Sequence, residues 1–389
     1  MGIRTTHKAP TPQGPARKNS TETYEGSSAS SGNGMLPESD FCLQTPHAKG
    51  LVRAAKHISH SPTFSISGLK SIPSFSRDDL EVGSVLGVGG YGFVNKVKTD
   101  KIKNTKKSKS RTNPNSQSDK LVVKTLFPHT APNQLLSGCH QLEKEKRVLS
   151  QLNHPNIISL RGYSEKGLDS IAETKRIDSC FLLLDFLPET LTDRIEKWGR
   201  IIRTSPKKKT QRRWSLLSRK RFPFDRDMFI EQIQVAIDIA SALRYLHEKR
   251  IILRDLKPDN VGFDESNCTK LFDFGLIAQL PKFCNLDKTH NIPGNIGTPR
   301  YMAPEVLREQ PYNVKADVFS FSQVLWEILT QERAPGANSS RPMIPKEWPG
   351  TLRRILERGW SEDLNERPCM TEYKYALEDL LRQAKEASN

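Results

Sequence analysis

From Leu80 the chain alternates short apolar runs with turn residues. Leu80, Val82, Val85 and Leu86, then Phe93 and Val94 with glycines between them, predict two strands joined by a Gly-rich turn. Leu121-Val122-Val123-Lys124 predicts another strand, and Phe181-Leu182-Leu183-Leu184 a further, buried one. Residues 134–152 carry Leu135, Leu142, Val148, Leu149 and Leu152 among charges, which is helical spacing; Asn153-His154-Pro155-Asn156 ends it. After residue 188 the period changes. Ile230, Ile233, Ile237, Ala240, Leu243 and Leu246 predict a helix over 228–248, and residues 316–330 and 370–384 predict two more. A strand-rich segment followed by a helix-rich one predicts an α+β, bilobal protein, with a small β-rich lobe, a larger helical lobe and a cleft between them.

Residues 1–77 show no sustained apolar period and are rich in Ser, Thr, Pro, Gly and Asn, so disorder is expected there. The organisation read from the pattern is a tail over 1–79, one domain over 80–383 and a short tail over 384–389. A chain of 389 residues is long enough to bury a core without disulfide staples. Its six cysteines lack metal-ligand or redox spacing, which implies an intracellular protein with reduced thiols. No apolar run approaches the ~18 residues of a membrane helix, and the N-terminus lacks the apolar stretch of a secretory signal. Met1-Gly2-Ile3-Arg4-Thr5-Thr6 does fit the N-myristoylation pattern at Gly2, so membrane association stands beside a cytoplasmic or nuclear location.

The net charge of +16 at first suggests a nucleic-acid partner. Its placement argues otherwise. Six Lys and Arg lie in residues 101–118 and eleven in 197–221, both without acids, and the remainder is close to neutral. The basicity belongs to two insertions, about 101–119 and 197–221. Within the second, residues 206–213 read as a nuclear localisation signal or as a docking patch for acidic partners, nucleic acid or anionic lipid; a solvated loop is the plain alternative.

Gly87-Val88-Gly89-Gly90-Tyr91-Gly92-Phe93-Val94 falls between two predicted strands, not before a helix. Glycines there let backbone approach phosphate oxygens closely, and the setting favours a strand-turn-strand lid over a dinucleotide turn. Lys124 ends an apolar strand and needs an anionic partner, which Glu145 on the following helix can supply. The most informative stretch is Leu253-Arg254-Asp255-Leu256-Lys257-Pro258-Asp259-Asn260, followed by Leu271-Phe272-Asp273-Phe274-Gly275. Phosphoryl transfer needs a group to orient the attacking hydroxyl and oxygen ligands for Mg²⁺. Asp255 suits the first task, Asn260 and Asp273 the second, and Lys257 can offset charge on the γ-phosphate.

Taken in order, these motifs resemble a eukaryotic protein kinase over residues 80–383. The resemblance implies ATP and Mg²⁺ as cofactors and a protein as substrate. It implies that Gly87 to Val94 cover the nucleotide, that Lys124 pairs with Glu145, and that Asp255 is the catalytic base with Lys257 and Asn260 beside it. It further implies that Asn260 and Asp273 bind metal, and that Val122, the gatekeeper Leu184, and the hinge residues Asp185, Phe186 and Leu187 line the adenine slot. Asp317 would anchor the catalytic loop and Arg367 would pair with Glu305. Lys257 and Gly297-Thr298-Pro299-Arg300 resemble the Ser/Thr class, and Asp317 to Phe321 with Leu325 to Ile328 the tyrosine-kinase-like subgroup.

Three positions depart from that pattern. Leu253 stands in place of the usual His, keeping its packing but not its hydrogen bond, so activity is expected to survive. Val122 in place of a small Ala and Gly262 in place of a larger apolar residue under adenine imply a shifted adenine. Arg254 implies a cationic pocket that awaits an anion, and Thr289 is the candidate phosphosite, since Thr298 and Tyr301 fill structural positions. The activity expected is a protein Ser/Thr kinase in intracellular signalling. A pseudokinase-like scaffold is the alternative, though Lys124, Asp255, Asn260 and Asp273 are all present.

Overall fold

The computed structural model describes residues 50, 72–98, 120–127, 131–204, 225–336 and 341–386, all within the compact unit Met35–Asn389. The Gly2 pattern, the 101–119 run and the 206–213 run lie outside the described residues.

The first lobe is built on a sheet of six strands: β1 (Ser74–Phe75), β2 (Glu81–Val88), β3 (Gly92–Lys98), β4 (Leu121–Leu126), β5 (Leu160–Ser164) and β6 (Phe181–Asp185). The order across the sheet is β1-β5-β6-β4-β3-β2. All neighbours are antiparallel except β1, which runs parallel to β5. Strand alternation sorts the side chains onto two faces. Val122, Leu182 and Leu184 join the main core, while Val123, Phe181 and Leu183 join a smaller cluster with Leu80 and Val97. Helix α1 (Pro132–Leu149) lies between β4 and β5 in sequence and buries Leu135, Cys139, Leu142 and Val148. A short helix, α2 (Asp169–Thr174), interrupts the connection from β5 to β6.

Beyond β6 a short β7 (Glu189–Thr190) leads into α3 (Leu191–Thr204), α4 (Arg226–Glu248), β8 (Ile251–Ile252), β9 (Val261–Phe263), β10 (Thr269–Leu271) and β11 (Ala278–Gln279). Then follow α5 (Pro304–Leu307), α6 (Lys315–Thr330), α7 (Gly350–Gly359) and α8 (Met370–Glu386). Every residue of α6 from Ala316 to Leu329 is buried, so this helix is the axis of the second lobe. The expected bilobal α+β architecture is the one observed. Among the described residues no helix is long and apolar enough to cross a membrane.

Three expected boundaries need correction. The N-terminal tail was expected to reach residue 79, yet β1 adds to the sheet edge: Glu165 N–H donates to Phe75 O at 2.9 Å. A Cβ at Gly162 would fall 2.6 Å from the Phe75 ring, so the ring sits where only glycine leaves room. The second basic insertion was expected from residue 197, but 197–204 belong to α3. Leu191, Arg194 and Trp198 face inward at helical spacing while Lys197, Arg200 and Arg203 face out or sideways, so surface charge hid an amphipathic helix. Trp198 is buried and its indole N–H donates to Glu231 Oε2 at 3.0 Å. The C-terminal tail was expected from residue 384, but α8 continues to Glu386, held where Arg226 Nε donates to Ala384 O at 2.7 Å.

Candidate active site

The floor of the cleft hangs from Asp317 on α6. This carboxylate is fully buried and accepts Leu253 N–H at 2.8 Å and Arg254 N–H at 2.9 Å, with His247 Nε2 on it at 2.9 Å. Three partners on one buried carboxylate satisfy it and pin the loop that follows β8. Arg254 adopts φ 71°, a conformation that persists only where its surroundings enforce it.

Asp255 lies directly past this anchor and is buried. Its Oδ1 accepts Thr298 N–H at 2.8 Å and the Thr298 hydroxyl at 2.6 Å. Its Oδ2 accepts Asn260 Nδ2 at 3.0 Å and lies 3.0 Å from Lys257 Nζ. Lys257 also donates to Thr298 Oγ1 at 2.9 Å. Thr298 can approach because Gly297 takes φ 119°, and a Cβ there would fall 2.4 Å from Arg254 O. The sequence-predicted trio Asp255, Lys257 and Asn260 therefore converges, with Thr298 as a fourth member.

The roof comes from the sheet. Lys124 on β4 donates to Glu145 Oε2 at 2.6 Å and to Asp273 Oδ1 at 2.9 Å. Glu145 is almost completely buried on α1, and its other oxygen accepts Phe274 N–H at 3.3 Å. Burial works to lower the Lys124 pKa, but the Asp273 and Glu145 carboxylates outweigh it and hold the ammonium above the ordinary lysine value. Lys124, and more weakly Lys257, keep Asp273 below the usual carboxylate range. Lys257, 3.0 Å from Asp255 Oδ2, also reaches Asp273 with its charge. Asp273 also adopts a left-handed φ of 65°.

Val94 is the cross-strand partner of Lys124, and Val122 that of Leu184, so all four share one stretch of sheet. Gly87 pairs with Val94 and Val88 with Phe93, and Gly89 N–H closes the turn on Gly92 O at 2.8 Å. Gly90 leaves open space where a Cβ would go. Gly92 admits no side chain, since its Cβ would sit 1.7 Å from Thr125 O. Tyr91 behaves differently from its neighbours. Its Cβ lies 3.2 Å from where a Cβ at Gly138 would stand, so the tip of the turn leans on α1. Asp185 is turned outward, accepting Arg161 Nε at 2.5 Å and Ser159 N–H at 3.2 Å. Leu187 lies between β6 and β7, outside both ladders.

Arg367 pairs with Glu305 through two bonds at 2.7 and 2.8 Å, both side chains buried. Leu253 is buried in the main core. Arg254 spends its guanidinium on the carbonyls of Leu276, Ile277 and Pro293 and on the Tyr312 hydroxyl. Thr289 is exposed, one residue before the His290–Tyr312 backbone bridge. Lys144, which the sequence reading passed over, belongs to this corner. Burial, then the Arg254 guanidinium, pull its ammonium down to about 8. Its only sequence signal is that it precedes Glu145.

The donor set suits a hard cation. Among the described residues no group of three or more His, Cys, Asp or Glu forms a metal cage. The Asn260 amide nitrogen is committed to Asp255 O and Oδ2, which leaves its Oδ1 as the acceptor to offer beside the Asp273 carboxylate. Two protein oxygens completed by phosphate oxygens and water are what Mg²⁺ accepts.

A family model described as protein tyrosine and serine/threonine kinase matches residues 80–377. The chain is similar to the probable serine/threonine-protein kinase drkC of Dictyostelium discoideum, 32% identical over 254 residues, 61% of this chain and 29% of that protein. It is also similar to the serine/threonine-protein kinase STY46 of Arabidopsis thaliana, 38% identical over 165 residues, 39% of this chain and 28% of the relative. A third relative is the dual specificity protein kinase shkB of Dictyostelium discoideum, 36% identical over 172 residues, 41% of this chain and 26% of the relative. The chain spans less than a third of each of these relatives.

Proposed function

The chain belongs to the protein tyrosine and serine/threonine kinase family, and on that premise we propose that it transfers the γ-phosphoryl group of Mg-ATP to Ser or Thr hydroxyls of a protein substrate. One observation carries this reading. Lys124 is held by Glu145 and Asp273 together, while Lys257 links Asp273 electrostatically to an Asp255 carboxylate whose orientation is set by Thr298 and Asn260.

Bound Mg-ATP would supply the transferable phosphoryl group and the cation's charge. Lys124, kept protonated by its two carboxylates, neutralises phosphate oxygens at the roof. Asp273 and Asn260 would present oxygens to the cation. Asp255 accepts the hydrogen bond of the attacking hydroxyl and aims it, because both its oxygens are already oriented by donors from the protein. Lys257 offsets charge next to the transferred group. The turn from Gly87 to Gly92 closes over the nucleotide and excludes water. The Ser/Thr preference rests on Lys257 donating to Thr298 beside Asp255; tyrosine is the competing acceptor, as one relative is named for dual specificity.

Transfer of labelled phosphate to a mixed Ser, Thr and Tyr peptide library tests the proposal. Wild type should label Ser and Thr, and Asp255→Ala should lose at least ~10³-fold in kcat. Label on tyrosine alone would overturn the substrate class, and nucleotide binding with no transfer would favour the scaffold. Thr289 remains the proposed activating phosphosite; Thr289→Ala kinetics with mass spectrometry of active protein checks it. The basic run 206–213 is proposed to direct nuclear import, which deletion and imaging would test.

A further inference from the structure

Lys124 and Val122 lie two residues apart on β4, so they share a face, and that face turns to the main core and the cleft. Gly262 is likewise two residues beyond Asn260, where β9 leaves the floor of the cleft. A ligand whose phosphates lie between Lys124 and Asn260 would extend its body between Val122 above and Gly262 below. The lower position carries no side chain, yet the space is not vacant. A Cβ built on Gly262 would fall 2.8 Å from Leu187 Cδ1, 3.2 Å from Leu187 Cβ and 3.3 Å from Glu189 O. Any residue larger than glycine would force Leu187 out, because two of the three contacts are too stiff to yield far.

We propose that Leu187 forms the lower wall of the base slot, reaching in from the connection between the lobes to occupy the volume that a side chain at position 262 would fill. Gly262 is the position that admits it. The base of a nucleotide then lies between Val122 and Leu187. The expected loss of volume at Gly262 is made good by a neighbour, so no shift of the base follows from that position. The two residues act as a reciprocal pair: one side chain is needed, from either strand or connection, and two do not fit. β7 pairs with β9 at Glu189–Phe263 and Thr190–Gly262, which keeps Leu187 close to Gly262. This inference rests on the reading of the cleft as a nucleotide site.

The test separates base from phosphate. Binding of adenosine and of magnesium tripolyphosphate is measured by calorimetry on wild type, Leu187→Ala, Gly262→Leu and the double variant. Leu187→Ala should weaken adenosine on the order of tenfold, from the apolar area it removes, and leave tripolyphosphate unchanged. Gly262→Leu should weaken adenosine at least as much. The double variant, with the wall supplied from the other side, should bind adenosine more tightly than either single variant, a non-additive result expected of touching residues. Additive losses, or adenosine binding insensitive to Leu187→Ala, would overturn the proposal, and so would equal losses for both ligands. Wild type that binds tripolyphosphate but not adenosine also counts against it. If wild type binds neither, and no Mg-ATP, the nucleotide reading itself fails.

Discussion

The two halves of the cleft are held in different ways. The Asp255 half hangs from Asp317 inside a helix with no exposed residue between Ala316 and Leu329, and the carboxylates of Asp317 and Asp255 both take their donors from within the same lobe. The Lys124 half depends on one ammonium that joins three separate elements, the sheet, α1 and the segment after β10. Buried networks anchored in a packed core resist rearrangement. The Lys124–Glu145 pair joins a strand to a helix, with Lys124 partly open to solvent and Glu145 buried, so the phosphate side depends on the sheet and α1 staying in register. On the proposed activity, the second lobe presets the acceptor side, whereas the first lobe sets whether the phosphate side is assembled.

The strongest way to break this contrast is to attack the rigid half. Arg367→Ala leaves Glu305 buried without its partner and should cost about 3–5 kcal/mol of stability, read as a lower denaturant midpoint. A loss below ~1 kcal/mol would show that this lobe is not the fixed one. Glu145→Gln tests the adjustable half. It keeps an oxygen for Phe274 N–H and removes the charge facing Lys124, so kcat/KM should fall ~10–10²-fold while stability moves by less than ~1 kcal/mol. Equal damage to fold and activity would erase the distinction.

Gly138→Val sharpens it further. The added side chain meets Tyr91 and Leu126, so the turn at 89–92 loses its rest on α1 and KM for ATP should rise ~2–5-fold with little change in kcat. Lys144→Met gives the smallest effect. The folded Lys144 titrates near 8, below its unfolded value, so below that pH the folded state carries an unfavourable charge. The unfolded chain binds more protons between about 8 and 10.5, and wild-type stability rises with pH there relative to the variant. Lys144→Met should therefore melt higher than wild type at pH 7, with the gap closing by pH 10. An unchanged gap would remove Lys144 from the cationic corner beside Arg254.

Much of this was legible before any fold was known. Asp255, Lys257, Asn260 and Asp273 stand at positions whose residue types announce oxygen ligands and proton handling; the structure brings Lys257 and Asn260 onto Asp255 and Lys124 onto Asp273. The long helices α4, α6 and α8 of the second lobe were visible because their apolar faces repeat every three to four residues over long stretches. β1, α2 and the inward face of α3 were not. β1 has two residues, α2 has six, and the apolar stripe of α3 is interleaved with basic residues that read as an insertion.

Local chemistry along the chain pointed to the side chains proposed to handle phosphate, because residue type and spacing act within a few positions. What fills the space over Gly262, why Gly162 carries no side chain, and that Lys144 faces Arg254 are contacts between residues as few as 21 and as many as 110 positions apart. Only the tertiary structure could decide them. Packing and charge act through space at a few ångströms, and a linear sequence does not record which distant atoms will share that space.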